Sequence, residues 1–395
     1  METLQIELPL TNHRKSHPEP SATIELAQRA RILKSEGRDI IELAGGDPDF
    51  TCDDHVQDAI TESLRRGETK YTHPRGIPKL RQAISKKLKT ENQIDADPDE
   101  EILVTAGGKE SIAITLMALL ENSDEVLIPA PYWVSFNNMA MIAGGKPISV
   151  IGDKARGFKI TASDLDRAYT NRSRFLIFNN PHNPTGQFYN ESEIRQIADW
   201  CGNMGVYLIS DEVYEHILFD DHVMFSPSSD AGYKNFTITV NSVSKTHAMT
   251  GLRVGWLSAP NWLVKKIEPY HQHLITCAPS ICQHGALAAI ENSTESVAER
   301  RNIYAKRRDL VFDNLSKSKT VRPLKPSGTF YMFLDISPTS LSSVNFCATL
   351  LEETGLALCP GSAFSDAGEG WVRMLFAREE GILLDACSRI TRIFG

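Results

Sequence analysis

The chain has 395 residues, 41% of them hydrophobic, and a formal net charge of -8. That is enough apolar material for more than one core, and the acidic balance argues against nucleic acid or an anionic membrane surface as a partner. No apolar run approaches the length of about 18 residues that a membrane-spanning helix needs, METLQIELPLTNHRKSHPEP lacks the apolar stretch and cleavage site of a secretory signal, and the seven scattered cysteines contain no CxxC pair, so a cytoplasmic protein with reduced thiols is expected.

After a polar arm over residues 1–19, SATIELAQRARILKSEG carries a helical apolar period, with Ser21 placed to cap it and Gly37 near its end. IIELAG reads as a short strand, and HVQDAITESLRRG and PKLRQAISKKLKTEN as amphipathic helices. EILVTAG then predicts a strand and KESIAITLMALLE a helix. EVLIPAP, RFLIFNNP, GVYLISDE and FTITVNSV are four further strand-like runs, mostly separated by helical segments such as ESEIRQIADWCGNMG. Apolar strands alternating with helices predict a mostly parallel sheet covered on both faces. Beyond about residue 285 the charged helix TESVAERRNIYAKRRDLVFDNLSK leads to strand-like GTFYMFLDIS and GWVRMLFA, the pattern of a smaller α+β domain. The expected division is an N-terminal arm and helix over 1–45 that packs on the small domain, a large domain over 46–285 and a small domain over 286–395.

Ligands of open α/β sheets bind at the carboxyl ends of the strands. Four such ends here are polar: TAGGKES, NNPHNPTG, DEVYEH and SVSK. The Lys245 amine, set among small residues, can form a Schiff base with a carbonyl. Asp211 can hold a protonated pyridine nitrogen. Arg253, the hydroxyls of Ser242 and Ser244, and the N–H groups of Gly107, Gly108 and Lys109 can cradle a phosphate at a helix start. Asn183 and Tyr214 can donate to a ring oxygen. An aldehyde, a ring nitrogen, a ring oxygen and a phosphate together describe pyridoxal 5'-phosphate.

With GGDPDF (45–50), KYTHPRGIPKLR (70–81), TAGGKES (105–111), PAPYWVSF (129–136), NNPHNPTG (179–186), SDEVYEH (210–216), SVSKTHAMTGLRVGW (242–256), PSGTFYMF (326–333), CPGSAF (359–364) and GWVRMLFA (370–377) in order, the chain resembles the fold-type I, pyridoxal-phosphate-dependent class I/II aminotransferases. Within them it is most similar to the bacterial aspartate/prephenate branch, from about residue 20 to the C-terminus. The resemblance implies an α/β fold, with a large domain built on a mostly parallel seven-stranded sheet between helices and a smaller α+β domain. It implies that Lys245 forms the Schiff base and moves the proton, that Asp211 pairs with the pyridinium nitrogen, and that Asn183 and Tyr214 bond the ring oxygen while Trp133 stacks on the ring. Gly107, Gly108, Lys109, Ser242, Ser244 and Arg253 would hold the phosphate, joined by Tyr71 from a neighbouring subunit of a homodimer. Arg373 would clamp the substrate α-carboxylate with its planar donors, helped by Asn183 and the backbone at Gly46. The reaction implied moves an amino group between an L-amino acid and a 2-oxo acid.

GGKES is not a nucleotide P-loop, because Glu110 follows the lysine. His271 and His273 fall on different helix faces, so packing or solvent outweighs a metal role, and no metal site is expected. His247 is structural or catalytic, with the structural role favoured. Cys277 and Cys282 read as buried thiols. Relatives that act on acidic substrates often carry lysine at the position of Glu19, whereas Thr23 and Lys109, which help such relatives read a distal carboxylate, are kept. Together with Phe136 and Leu252 at positions where tyrosine and tryptophan are common, Glu19 argues against strict aspartate specificity and for a neutral or cationic side chain. The same cofactor site could also host elimination or replacement, C–C bond formation or oxidation. A non-catalytic sensor of this fold is disfavoured by the intact set of site residues.

Overall fold

The helical period after Ser21 becomes α1 (Ala22–Ser35) in a computed structural model that describes residues 22–395, with side chains from Gln28 onward. Glu19, and the side chain of Thr23, lie outside the described residues. The amphipathic segments that follow form α2 (Asp54–Arg65) and α3 (Pro78–Glu91), the latter opened by proline at a position where its missing N–H costs nothing. Helix α4 (Gly108–Leu119) starts after two intervening residues from a strand that ends at Thr105.

Thirteen strands are present among the described residues. The first, β1 (Ile41–Glu42), is followed by seven that make one sheet: β2 (Ile102–Thr105), β3 (Glu125–Ala130), β4 (Lys146–Ile151), β5 (Ser173–Asn179), β6 (Tyr207–Asp211), β7 (Thr237–Ser242) and β8 (Gly255–Ser258). Their spatial order is β2-β8-β7-β6-β5-β3-β4. Neighbours run parallel except at β8, which is antiparallel to β2 and β7. Apolar side chains alternate across the sheet, as the pleat requires. Phe175 and Ile177 enter one core with Ile209 and Ile238, while Leu176 and Phe178 enter the opposite one with Leu208. The sheet is thus covered on both faces.

The C-terminal strands are β9 (Arg322–Leu324), β10 (Tyr331–Asp335), β11 (Leu356–Ala357), β12 (Cys359–Pro360) and β13 (Trp371–Leu375). Four of them form an antiparallel sheet in the order β12-β13-β10-β9, packed with helices Thr294–Leu315, Ser343–Thr354 and Glu380–Phe394 around Met332, Leu334, Phe346, Met374 and Leu383. The N-terminal elements join this part of the molecule: β1 pairs in parallel with β11, and Ala30 and Leu33 of α1 pack with Ile40 and Ala357. Cys277 and Cys282 are half-buried, not buried as expected: Cys277 precedes the helix Ser280–Asn292 and Cys282 lies in its first turn. No described helix is long and apolar enough to cross a membrane.

The register puts the polar strand ends side by side. Asn179, the last residue of β5, pairs with Asp211, the last of β6, and β7 beside them ends at Ser242.

Candidate active site

Above these strand ends lies a cavity of about 590 Å³. The chain leaves β7 at Ser242, turns, and delivers the Lys245 amine into the cavity, where Nζ donates to the Gly46 carbonyl at 2.8 Å. Asp211 reaches the same space from β6. It is buried, and its Oδ1 accepts only a long bond from the Val213 N–H at 3.4 Å. Burial pushes its carboxyl up to about 7, against the pull of the Val213 N–H and the Lys245 charge. A carboxyl so placed gains from a cationic N–H partner.

One corner of the cavity is built by α4 and Arg253. The first N–H groups of any helix lack acceptors inside it and draw anions, and Gly108 and Lys109 open α4. The Arg253 guanidinium donates to the Thr250 carbonyl at 2.8 Å and the Ala106 carbonyl at 3.0 Å. It lies so close to Gly107 (φ 87°) that a Cβ there would strike Nη2. The Lys109 ammonium lies 4.7 Å from the centre of the Trp133 ring, and burial, then the charges of Arg253 and Lys245, lower its pKa. Three cations in one wall, with one buried carboxyl, form a setting for an anion.

Arg373 comes from the other sheet, at the middle of β13, opposite Phe333 of β10. Its Nη1 donates to Asn183 Oδ1 at 2.9 Å, and its Nη2 to the carbonyls of Ala44 at 2.9 Å and Gly45 at 3.0 Å. Nε is buried without a partner. Three of a guanidinium's five N–H donors are therefore used, and one on Nη1 and the one on Nε remain.

Gly46, Gly108, Lys109, Trp133, Asn183, Asp211, Tyr214, Ser242, Ser244, Lys245, Arg253 and Arg373, the residues expected in one site, all line this cavity, and Gly107 caps the helix at its edge. Tyr71 does not line it: its side chain is 83% exposed. His247 turns away into a second cavity of about 300 Å³, where burial lowers its imidazole to about 3 and Nδ1 has no partner. His271 and His273 do face different ways; His271 is buried between Glu110 Oε1 at 2.8 Å and the Pro74 carbonyl at 3.0 Å, and His273 is exposed.

The family model for aminotransferase class I and II matches residues 38–390. This chain belongs to the class I and II aminotransferases. A probable aspartate/prephenate aminotransferase from Aquifex aeolicus is 37% identical over 385 residues, 96% of this chain and 97% of that protein. An aromatic-amino-acid aminotransferase from Thermococcus litoralis is 38% identical over 356 residues, covering 90% and 91%. The solved aspartate aminotransferase of Thermus thermophilus with maleate superimposes with a TM-score of 0.91 at 36% identity, covering 95% and 97% of the two chains. The fold is the fold-type I architecture of pyridoxal-phosphate-dependent transferases, and the chain is an aminotransferase.

Some residues of this aminotransferase's cavity carried no expected role. Tyr331 of β10 is buried, lines the cavity, and its hydroxyl lies 3.3 Å from that of Tyr214. Its ring also lies 4.1 Å from the Arg373 guanidinium carbon. Asn179 Oδ1 accepts from the Asn183 N–H at 2.8 Å and fixes that loop. Gln28 and Arg31 of α1 form part of the rim. Asn179 and Tyr331 belong to the motifs NNPHNPTG and PSGTFYMF, so the motif was legible and the individual role was not.

Proposed function

We propose that this aminotransferase works with pyridoxal 5'-phosphate, moving an amino group between an L-amino acid and a 2-oxo acid, and that it does so as a homodimer. The observation that carries the reading is the convergence in one cavity of a lysine amine, a buried carboxyl and a guanidinium with unused donors. The residues fit the cofactor on their own chemistry. Asp211 is an under-bonded buried carboxyl that a protonated ring nitrogen would satisfy, and the crowding of Arg253 against Gly107 keeps that corner free of side-chain carbon.

When bound, the cofactor supplies a carbonyl that condenses with amines and a ring that accepts the electrons released at the substrate Cα. The chain's part is to bind, orient and move protons. Arg253, Ser242, Ser244 and the start of α4 take the phosphate, and Trp133 covers the ring face and excludes water. Asp211 would be held ionised by the protonated ring nitrogen, and Asn183 and Tyr214 would bond the ring oxygen. Arg373 takes the substrate α-carboxylate, with Asn183 holding one edge of the guanidinium. The Lys245 amine, on giving up the Gly46 carbonyl, is the base that removes the Cα proton and later returns one.

The cavity wall offers Ile112, Trp133 and Phe136 as apolar surface and Lys109 and Arg31 as cations. That lining accommodates neutral and aromatic side chains as well as acidic ones, in keeping with a site not restricted to aspartate. The homodimer is supported by the 83% exposure of Tyr71 and by an apolar patch beside it: Tyr270, Leu274 and Ile275 are all exposed, and the His271 bond to Pro74 brings their helix against the Tyr71 loop. A second copy would cover the patch and carry its Tyr71 to this cavity. A cytoplasmic location belongs to the same reading and agrees with seven cysteines that form no disulfide.

The test is spectroscopic. Protein loaded with the cofactor should change its visible absorbance stoichiometrically on adding an amino donor and recover it on adding a 2-oxo acid, with the products identified by mass spectrometry. Protein that stays colourless after incubation with pyridoxal phosphate contradicts the reading.

A further inference from the structure

Behind the lysine loop runs a buried polar chain whose far members, Lys87, Asn92, Glu215 and Asn241, the transfer chemistry does not touch. Glu215 follows Tyr214, and its carboxylate accepts from Lys87 Nζ of α3, from Asn92 Nδ2 at 2.6 Å and from Asn241 Nδ2 at 2.6 Å. Lys87 Nζ also donates to Asn92 Oδ1 at 2.6 Å. Asn241 Oδ1 accepts from the N–H of the next residue, Ser242, at 2.7 Å, and Ser242 Oγ accepts from the Ser244 N–H at 3.3 Å. All six residues are buried, and Lys245 comes next in sequence.

The direction of the chain is fixed by its chemistry. A carboxylate only accepts and a backbone N–H only donates, so the Asn241 amide has one orientation that satisfies both neighbours. Burial works to raise the Glu215 carboxyl. The charges of Lys87 and His216 and the bonds from Lys87 and Asn92 instead bring it down to about 2, which keeps it an acceptor. The segment it steadies needs such help. The β7–β8 ladder ends with the pair Ser242 and Gly255, and Ser242 lines both the cofactor cavity and the second cavity. Open volume thus lies on each side of Ser242, and within the segment only Val243 is anchored in a hydrophobic core.

We propose that Glu215 and Asn241 are positioning residues for the aminotransferase site: the carboxylate fixes the Asn241 amide, the amide oxygen holds the Ser242 N–H, and the segment from Ser242 to Lys245 is thereby kept in the shape that presents its hydroxyls and its amine. The inference rests on the reading of that segment as the pyridoxal-phosphate site.

The experiment is an exchange of polarity. Glu215→Gln offers one acceptor oxygen where three donors converge, and Asn241→Asp sets two carboxylates face to face. Each single variant should bind pyridoxal phosphate at least about tenfold more weakly, the worth of one good hydrogen bond, and should speed amide hydrogen exchange over residues 242–245 in the cofactor-free protein. In the double variant the amide introduced at position 215 can donate to the carboxylate introduced at position 241, which still accepts from the Ser242 N–H, at unchanged total charge; the same nitrogen then faces Lys87 Nζ, which shares that Glu215 oxygen with Asn241, so recovery is partial. Its cofactor affinity and exchange protection should exceed those of both single variants. Single variants that keep wild-type affinity and protection overturn the proposal. So does a double variant that folds yet stays as weak as the singles, since lost packing would not be rescued by reversing polarity. Should the singles fail to fold, recovery in the double variant supports the proposal and continued failure overturns it. A wild type that takes up no pyridoxal phosphate is a separate result, which removes the site reading and this inference with it.

Discussion

Arg373 shows how much a single side chain decides here. Its position on β13 and its three bonds to Asn183, Ala44 and Gly45 aim the guanidinium before any substrate arrives. Arg373→Ala should raise the KM for the amino donor by about 100-fold or more, since charge-assisted bonds contribute roughly 1.5–3 kcal/mol each. Cofactor affinity, measured by absorbance titration, should stay within about threefold, and an equal loss of both would contradict the clamp. Asp211 has a pH signature. Because its folded-state pKa is raised, the native cofactor-free protein keeps the proton between the ordinary aspartate value of 3.8 and about 7, while the unfolded chain has lost it. Stability contributed by this group is therefore lost as pH rises through that window, by up to about 4 kcal/mol. Chemical denaturation at pH 4 and 7.5 should show a smaller decline in Asp211→Asn than in the wild type. Both residues were legible as polar groups where apolar runs end. Tyr331 was not, because a tyrosine in a strand of alternating large side chains looks like core until its neighbours in space are known. His247 was legible only as an ambiguity, and its direction depends on the turn after β7.

Among the elements, the start of α4 is the most exacting. Gly107 has φ 87°, and an added Cβ would displace the Arg253 guanidinium. Gly107→Ala should cost about 1–3 kcal/mol through left-handed strain and also weaken cofactor binding. Gly205→Ala separates the two effects: Gly205 has φ 67°, in the αL well, with open space around it, so it should show a smaller loss in thermal melts with cofactor affinity unchanged. Helices α2 and α3 and the strand–helix alternation from 101 to 243 were legible because their periods are strong and their lengths ordinary. Strands β4 and β8 are not legible in the sequence. β4 carries Lys146 and Pro147 and lies at the sheet edge, where exposure weakens the apolar signal. β8 is four residues long, inside a motif read for its chemistry, and its antiparallel direction follows from the short return after β7, which no local pattern announces.

At the scale of the whole molecule, the proposed site needs a second copy. Dilution should therefore lower specific activity in step with the loss of dimer seen by sedimentation, and a monomer of full activity at high dilution would contradict the role given to Tyr71. The site also depends on two sheets at once, a property that sequence order conceals, since Lys245 and Arg373 are 128 positions apart in the chain. One anchors the reacting amine in the turn that leaves β7 of the large sheet, and the other anchors a carboxylate on β13 of the small one. Two fixed posts on separate frameworks act as a gauge. A molecule is accepted first by the span between its acid and amine groups, so α-amino acids of very different bulk can fit, whereas a β- or γ-amino acid, one or two carbons longer between those ends, is measured and found too long.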